Sequence, residues 1–387
     1  MPKALNSRLT GDYYSNQFTS QISEEGDTLV LNMGPQHPAT HGVLRVVVEL
    51  DGEYIRRAEP VLGYIHRMHE KMGEVKSYTQ YLPNMGRVDY LHALAWNWAY
   101  VGAVEKLMSV QVPPRAEYIR VITCELNRIC SHLLWWGAYL LDLGAFTPIV
   151  YGFADRERIM DILQIVTGSR LTYCYYRFGG VSADVDDEFI RLTREFTKDF
   201  RKRLPMYRGL VTENAILRGR CEEIGVIPVE MARRYGATGP VLRGSGVAYD
   251  VRRAEPYSVY DKLKFDIPTG KNGDAMDRYD VRMAEMAQCL DIIDQALDSL
   301  PEGEVLSKVR QPVTPPKGEV YFAVEGARGK IGVHLLSDGT DKPYRLKLRA
   351  PGFSNLSLFA ELAQGTLLAD AVSIMGSLDL VIPEIDR

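Results

Sequence analysis

The stretch PPRAEYIRVITCELNRICSHLLWWGAYLLDLG, residues 113–144, carries the pattern of one long helix. Apolar side chains recur in it at steps of three and four residues, as on one face of a helix. They are Ile119, Ile122, Leu126, Ile129, Leu133 and Leu140. Proline suits the first turn of a helix, so the helix is expected to begin at Pro113 and Pro114, and it stops near Gly144. The segment predicts a helix about 45 Å long within a helical body.

The segments on either side of this helix predict an α+β fold. Residues 28–50 have the composition of a β-hairpin, because TLVLN and GVLRVVVEL are rich in β-branched residues. Further helices are expected at 64–80, 87–108, 153–167, 186–204 and 275–300, with loops and short helices between 205 and 274, strands over 318–349, and two short helices before the tail. The fold class is therefore α+β, with a large helical body and small β-sheets at the N- and C-terminal ends that we expect to pack together.

The chain of 387 residues, with 46% hydrophobic and 25% charged residues, is long enough for a sizeable core. A single unit is expected over residues 28–387, after an N-terminal extension at 1–27. The unit divides into a β-hairpin region at 28–60, a helical body at 61–317, a small β region at 318–349, and C-terminal helices with a tail at 350–387.

Composition argues against several classes of function. A net charge of −4 disfavours binding to nucleic acid through bulk electrostatics. The five cysteines form no CxxC pair, which argues against a disulfide framework and against a local zinc or iron–sulfur site. The N-terminus lacks the apolar core of a signal peptide. The apolar stretch 133–153 is interrupted by Asp142, Gly144 and Pro148, so it predicts a buried helix and an apolar loop rather than a transmembrane segment.

The loop of the predicted hairpin, GPQHPATHG at residues 34–42, contains His37 and His41. Three interpretations stay open. The imidazoles satisfy backbone groups of the turn, or they join His66 and His69 in a metal site, or they exchange protons in a cleft near neutral pH.

Two further motifs contain polar residues that are able to bind or to transfer protons. In GRVDYLH, residues 86–92, Asp89 is a candidate cap for the following helix and Tyr90 then lies in its first turn. A phenol is a good hydrogen-bond donor to a carbonyl oxygen that gains negative charge. Asp142 lies in an apolar run at a predicted helix C-terminus, where the helix dipole disfavours a carboxylate, so it calls for a cation or for a local turn.

Together these motifs resemble the D subunit of the proton-pumping NADH–quinone oxidoreductase, respiratory complex I. The resemblance runs in order from about residue 28 to the C-terminus. The matching motifs are NMGPQHPATHGVLR, GYIHR followed by EK, RVDY, YIRVITCELNRICSHLLW, DLGAFTP, TGSRLTYCYYRFGG, RLKLRAPGF and EIDR.

The resemblance implies a fold descended from the large subunit of nickel–iron hydrogenases, whose metals are held by cysteine pairs near both chain ends. Here the corresponding segments, NMGRVDY at 84–90 and DLVIPEIDR at 379–387, contain no cysteine. Hydrogenase activity is therefore excluded, because the ligands are missing. The resemblance implies that the vacated cavity has become a quinone site, lined from the C-terminal side by Asp379 and Val381.

The same resemblance implies roles for the other motif residues. His41 and Tyr90 donate hydrogen bonds to the quinone headgroup, with His37 on the same hairpin loop. Asp142 pairs with His41. The remaining implied site residues are Arg87 and Asp89, which shape the helix start beside Tyr90, and Arg67, which lies near a [4Fe–4S] cluster held by the neighbouring B subunit of the complex.

The implied function is quinone reduction in the peripheral arm of the complex, at the cytoplasmic face of the bacterial inner membrane. This chain binds no cofactor alone, and its implied partners are the B and C subunits and the membrane-embedded H subunit. Three alternatives stay open: the same protein in a ferredoxin- or F420H2-linked complex, a non-catalytic scaffold that docks the cluster protein, and a histidine-ligated metallohydrolase.

The chain departs from the family pattern at two places. Relatives often have glycine where Met68 stands in HRMHEK, so the added side chain is expected to pack against something new. Many relatives also have a histidine in the segment that here contains Thr172, Tyr173 and Cys174. We therefore expect no histidine-linked pH dependence of the cluster in this protein.

Overall fold

The computed structural model describes residues 21–22, 28–36 and 42–387. An antiparallel four-stranded sheet near the N-terminus consists of β1 (Gln21–Ile22), β2 (Leu29–Met33), β3 (Arg45–Asp51) and β4 (Tyr54–Val61). A two-stranded ribbon consists of β5 (Tyr176–Arg177) and β6 (Gly180–Val181), and an antiparallel three-stranded sheet consists of β7 (Gly318–Gly326), β8 (Gly329–Ser337) and β9 (Pro343–Arg349). The predicted hairpin is confirmed, because β2 and β3 pair along their length, with Leu31 opposite Val48.

Helices make up the rest of the regular structure. The first half of the chain contains α1 (His69–Val75), α2 (Tyr78–Met85), α3 (Ala93–Met108), α4 (Pro114–Asp142), α5 (Thr147–Thr167) and α6 (Asp187–Tyr207). A π-helical turn at Arg208–Thr212 precedes α7 (Ala215–Cys221), α8 (Val229–Arg234), α9 (Pro240–Gly244) and α10 (Val251–Ala254), and a short 3₁₀ turn (Tyr260–Lys262) precedes α11 (Ala275–Asp298). The C-terminal region forms α12 (Pro351–Ser357), α13 (Phe359–Leu362), α14 (Leu368–Ser377) and α15 (Ile382–Asp386). The α+β class is confirmed.

The central helix α4 begins and ends within two residues of the prediction. Pro114 occupies its first helical position, and the helix ends before Gly144, whose φ of 92° is left-handed. All six apolar residues predicted on one face are fully buried. Most polar residues on its other faces are buried too, so α4 runs through the interior of the body.

Buried ion pairs make this interior position possible, because a buried charge is tolerated only with a partner. On α4, Arg128 pairs with Glu125 at 3.1 Å, and His132 contacts Glu285 of α11 at 3.1 Å. Arg243 in turn pairs with Glu285 at 2.6 Å. Helical periodicity alone does not reveal the two pairs that involve Glu285, since their partners lie far away in sequence.

The four-stranded and the three-stranded sheets each pack on helices rather than on one another. The N-terminal sheet and the C-terminal helices share a hydrophobic cluster that includes Val46, Val48, Ile374 and Ile385. The three-stranded sheet instead covers α3, where Phe322 fills the space left by Gly102. The expected contact between the two sheets is therefore replaced by helices that lie on each of them.

The helix predicted at 64–80 begins later and is divided in two. Met68 has left-handed dihedral angles, φ 52° and ψ 41°, which cannot continue a helix, so α1 begins only at His69. Ser77 then begins α2 through a capping box with Gln80, in which both N–H···O contacts are 3.3 Å long. The C-terminal region contains four helices rather than two. The apolar loop predicted within the stretch 133–153 is short, since α4 ends at Asp142 and α5 begins at Thr147.

None of the helices in the described part of the chain is both long and apolar enough to cross a membrane.

A buried charge cluster beside Tyr90

Tyr90 lies in the turn between α2 and α3, at the edge of the helical body. Its side chain is 37% exposed, whereas the preceding residue, Asp89, is only 2% exposed. Packing around the phenol and the nearby carboxylate of Asp89 raise the pKa of Tyr90, and this effect outweighs the opposing charge of Arg328. Tyr90 therefore keeps its proton at neutral pH and presents an O–H donor at the surface.

Asp89 holds this turn in shape. Its Oδ1 accepts hydrogen bonds from the N–H groups of Leu91 at 2.9 Å and His92 at 3.2 Å. These amides precede α3, which begins at Ala93, so Asp89 supports the helix start from further upstream than a standard N-cap. Tyr90 consequently lies before the first helical turn and not within it.

The other oxygen of Asp89 binds a residue that sequence reasoning missed. Arg328 lies in the turn between β7 and β8, and its Nη1 donates to Asp89 Oδ2 at 2.8 Å. Its Nη2 reaches Asp379 Oδ1 and the Ser131 hydroxyl, each at 3.3 Å. The guanidinium is 1% exposed and joins three distant segments of the chain. The motif EGARG at 325–329 is the only local signal, and it does not reveal the partners of the arginine.

Asp379 and Val381, both implied by the resemblance, lie at the same cluster from the C-terminal side. Asp379 is buried and has a left-handed φ of 55°, so the chain turns sharply there before α15. Besides Arg328, it faces Arg282 of α11, whose Nε lies 3.9 Å from Asp379 Oδ2. Val381 is buried and forms the N-terminal boundary of α15.

A third carboxyl group, Glu384 on α15, completes the cluster and was not predicted. It is fully buried, and Oε1 accepts a hydrogen bond from the Gly352 N–H at 2.8 Å. Burial and the charges of Asp89 and Asp379 raise the pKa of Glu384, whereas Arg328 lowers it. The C-terminal motif EIDR contained the residue, but a glutamate near a chain end is usually solvated, so nothing local indicated its burial.

Several predicted site residues lie elsewhere or outside the described residues. His37 and His41 fall in the segment 37–41, which is not described, so the pairing of His41 with Asp142 stays a prediction. Asp142 is half-buried at the last position of α4. Arg87 is exposed, and its Nη1 donates to the Pro83 carbonyl at 2.7 Å rather than to Tyr90. Arg67 is exposed beside α1.

Two of the four histidines proposed for a metal site, His66 and His69, lie in the described part of the chain. Within residues 21–22, 28–36 and 42–387, no three His, Cys, Asp or Glu side chains are close enough to hold a metal ion. Of these two histidines, His66 Nδ1 lies 2.6 Å from the Asp386 carbonyl oxygen, and His69 is buried with neither ring nitrogen bonded to a described residue.

Comparisons with known proteins indicate a class of respiratory-enzyme subunits. The family described as the 49 kDa subunit of respiratory-chain NADH dehydrogenase matches residues 142–317 and 307–387. The NADH-quinone oxidoreductase D subunit of Desulfotalea psychrophila is 59% identical over 367 residues, 95% of this chain and 99% of the relative. The D 2 subunit of Opitutus terrae is 59% identical over 362 residues, covering 93% and 91%, and the D subunit of Clostridium beijerinckii is 46% identical over 361 residues, covering 93% and 98%. The chain belongs to the D-subunit family of NADH–quinone oxidoreductase, the family that its motifs resemble.

Proposed function

We propose that this chain forms, together with a cluster-bearing neighbour, the site at which the complex reduces quinone to quinol. The observation that supports the proposal most directly is the position of Tyr90, an exposed phenol next to a fully paired and buried carboxylate. This arrangement provides a proton donor on rigid supports at a surface that a substrate can reach.

Quinone reduction needs such a donor. As electrons arrive, negative charge develops on the headgroup oxygens, and a hydrogen-bond donor becomes more strongly bound at that moment. The raised pKa of Tyr90 keeps its O–H group intact until then. Because Asp89 is bound by Arg328 and by two backbone N–H groups, the turn does not need to rearrange during the reaction.

The second donor in the proposal is His41, on the hairpin loop between β2 and β3. An imidazole donates a proton readily near neutral pH. Asp142 then acts as its partner, and the weakening of this pair after proton loss is the local charge change that starts proton pumping elsewhere in the complex. His37 belongs to the same loop. Arg87 and Val381 are assigned to the wall of the quinone cavity, as are Asp89 and Asp379.

The electrons come, one at a time, from a [4Fe–4S] cluster that the B subunit holds, with Arg67 on the side that faces it. The proposed partners are accordingly the B subunit, the C subunit and the membrane-embedded H subunit. The proposed location is the cytoplasmic face of the bacterial inner membrane, where the chain is a peripheral component of the complex.

The test of this function is Tyr90→Phe in the assembled complex. Without the hydroxyl, we expect quinone reduction to fall on the order of 10²- to 10³-fold, by analogy with the loss of one oxyanion donor. Reduction of a hydrophilic artificial acceptor, which reports electron input upstream, should stay unchanged. If both activities are unchanged, Tyr90 does not serve the quinone and the proposal fails.

The alternatives make different predictions. If the chain is a scaffold only, a photoreactive quinone analogue labels other proteins of the complex and leaves this one unlabelled. If it is a metallohydrolase, elemental analysis of the purified chain finds stoichiometric metal. If the complex is fed by ferredoxin or F420H2, the genes that flank this one lack the NADH-binding subunits, while the Tyr90→Phe result stays the same.

A further inference from the structure

Glu384 is held in a position that only a glycine neighbour allows. The Gly352 N–H reaches Oε1 at 2.8 Å, and a Cβ atom at residue 352 would lie 2.3 Å from this oxygen. The other oxygen, Oε2, is buried and makes no hydrogen bond to any described residue. Glu384 therefore has one fixed oxygen and one that is free to carry and transfer a proton.

The surroundings of Glu384 contain further buried polar atoms that make no hydrogen bond to a described residue. Among the described residues these are Asp379 Oδ2, Arg328 Nε, Arg282 Nε and Nη2, and Asn355 Oδ1. They belong to one cluster, because Asn355 Nδ2 approaches the Arg328 carbonyl oxygen at 3.4 Å and Arg328 and Arg282 both face Asp379. Buried polar atoms that lack a protein partner are normally satisfied by ordered water. The cluster thus contains buried donors and acceptors that the described residues leave unsatisfied and through which a proton can pass.

The charges in the cluster favour a protonated Glu384. Three carboxyl groups, those of Asp89, Asp379 and Glu384, face the two guanidinium groups of Arg328 and Arg282. Burial and the charge of Asp89 raise the pKa of Glu384 to about 8, against the opposing effects of Arg328 and the Gly352 amide. Arg349 is a further cation close enough to Glu384 to interact with it. With one proton on Glu384, the three carboxyls and two guanidiniums are electrically neutral.

Tyr90 borders the same cluster. The charges of Asp89 and Asp379, which act on Glu384, also raise the pKa of Tyr90, and Arg328 opposes the rise for both groups. Arg328 itself interacts electrostatically with Tyr90 and with Glu384. The exposed phenol and the buried carboxyl therefore both interact electrostatically with one guanidinium.

We propose that Glu384 is the internal proton store of the quinone site and that it reprotonates Tyr90 after the tyrosine has given its proton to the reduced quinone. This inference rests on the proposed function. It assigns a role to a residue on the buried side of the cluster that never touches the quinone itself.

The proposed step balances in protons and electrons. The quinone receives two electrons from NADH through the carriers of the complex, and it receives one proton from Tyr90 and one from His41. Breaking the Tyr90 O–H bond leaves a phenolate, and the Glu384 O–H bond then breaks as its proton passes through the polar cluster to the phenolate. The transfer is downhill, since the pKa of Tyr90 lies above that of Glu384. The Glu384 carboxylate remains beside Arg328 until it regains a proton from solvent.

The test uses Glu384→Gln in the assembled complex, because glutamine keeps the shape and the acceptor for the Gly352 N–H but holds no transferable carboxyl proton. We expect the kcat of quinone reduction to fall about tenfold, which is less than the loss of an acid–base group that touches the substrate, with KM for quinone unchanged. In the unaltered complex the rate should decline as the pH rises above about 8, where Glu384 loses its proton. In the variant this decline should be absent, and Glu384→Asp should restore part of the rate and the decline.

Two results would overturn the inference. One is an unaltered rate and pH profile in Glu384→Gln. The other is an equal loss in the Gln and Asp variants with the pH profile kept, which would indicate a purely structural role.

Tyr90→Phe in the same assay separates the two proposals. If quinone reduction is slow in Tyr90→Phe but normal in Glu384→Gln, only the proposal of a proton store is wrong. A normal rate of quinone reduction in Tyr90→Phe rejects the proposed function itself. The double variant should be no slower than Tyr90→Phe, because Glu384 acts through that hydroxyl.

Discussion

Arg328 and Asp89 form a buried ion pair, with 2.8 Å between Nη1 and Oδ2, although 239 positions separate them in the chain. The pair connects the turn of the C-terminal sheet to the turn that carries Tyr90. Arg328 also binds Asp379. Three segments that are distant in sequence, around residues 89, 328 and 379, are therefore fixed relative to each other at the candidate quinone site.

The first prediction concerns the stability of this pair. Arg328→Met leaves the buried carboxylate of Asp89 without its cation and removes one of the two cations that face Asp379; breaking a buried pair in this way typically costs about 3 to 5 kcal/mol. We expect the free energy of unfolding of the full chain to fall by this amount in a denaturant titration. Arg57→Met is the matched control, since Arg57 pairs with Glu59 at 3.0 Å on the surface and such pairs contribute at most about 1 kcal/mol. Equal losses in the two variants would contradict a special role for the buried pair.

The second prediction concerns Met68, which stands where many relatives have glycine. Its side chain is 56% exposed, so the new packing that we expected for it is not provided within this chain. The consequence of the substitution is instead in the backbone, because φ is 52°. Met68→Gly should raise the free energy of unfolding by roughly 0.5 to 1 kcal/mol by relieving the left-handed conformation.

Met206→Gly is the control for this prediction. Met206 is also exposed but lies in helix α6, where glycine costs about 1 kcal/mol. A thermal melt of the full chain should therefore shift in opposite directions for the two Met→Gly variants. A shift to lower temperature in both would mean that Met68 is not strained.

The third prediction is a pH effect on stability at His69. Burial, with the charges of Arg67 and His66, lowers the pKa of His69 to about 4. In the unfolded chain a histidine binds a proton below about 6.5, so the unfolded state takes up more protons than the folded state between pH 6.5 and 4. The contribution of His69 to the free energy of unfolding is therefore fully present above pH 6.5 and is lost as the pH falls through this window.

His69→Leu should remove this part of the acid-induced loss. It should also raise the free energy of unfolding at pH 7 by about 1 kcal/mol, because two buried nitrogens without a described protein partner disappear. His334→Leu, at the partly exposed histidine of β8, is the comparison variant and should keep the contribution of His69. Denaturant titrations at pH 7 and pH 5 measure both effects. An unchanged difference between the two pH values in His69→Leu would count against the prediction.

Sequence patterns predicted the secondary structure well where the signal was local. The apolar spacing in α4, the β-branched strands and the prolines at the helix starts depend on neighbours within a few residues, so they are readable without tertiary contacts. The late start of α1 was missed, because the left-handed conformation of Met68 is not a property of methionine. It is tolerated only in this structural context.

The residues of the candidate site also fall into those that the sequence indicates and those that only the tertiary structure reveals. Local motifs and the family resemblance indicate Tyr90, Asp89 and Asp379 from the sequence alone, since each lies in a distinctive short stretch. Only the tertiary structure brought Arg328 and Glu384 to them, because the burial of a charge is decided by partners from distant segments and leaves no periodic trace in the chain. The sequence alone thus determines most of the helices and strands through local patterns, while the ionisation of the cluster beneath Tyr90 depends on how those elements pack.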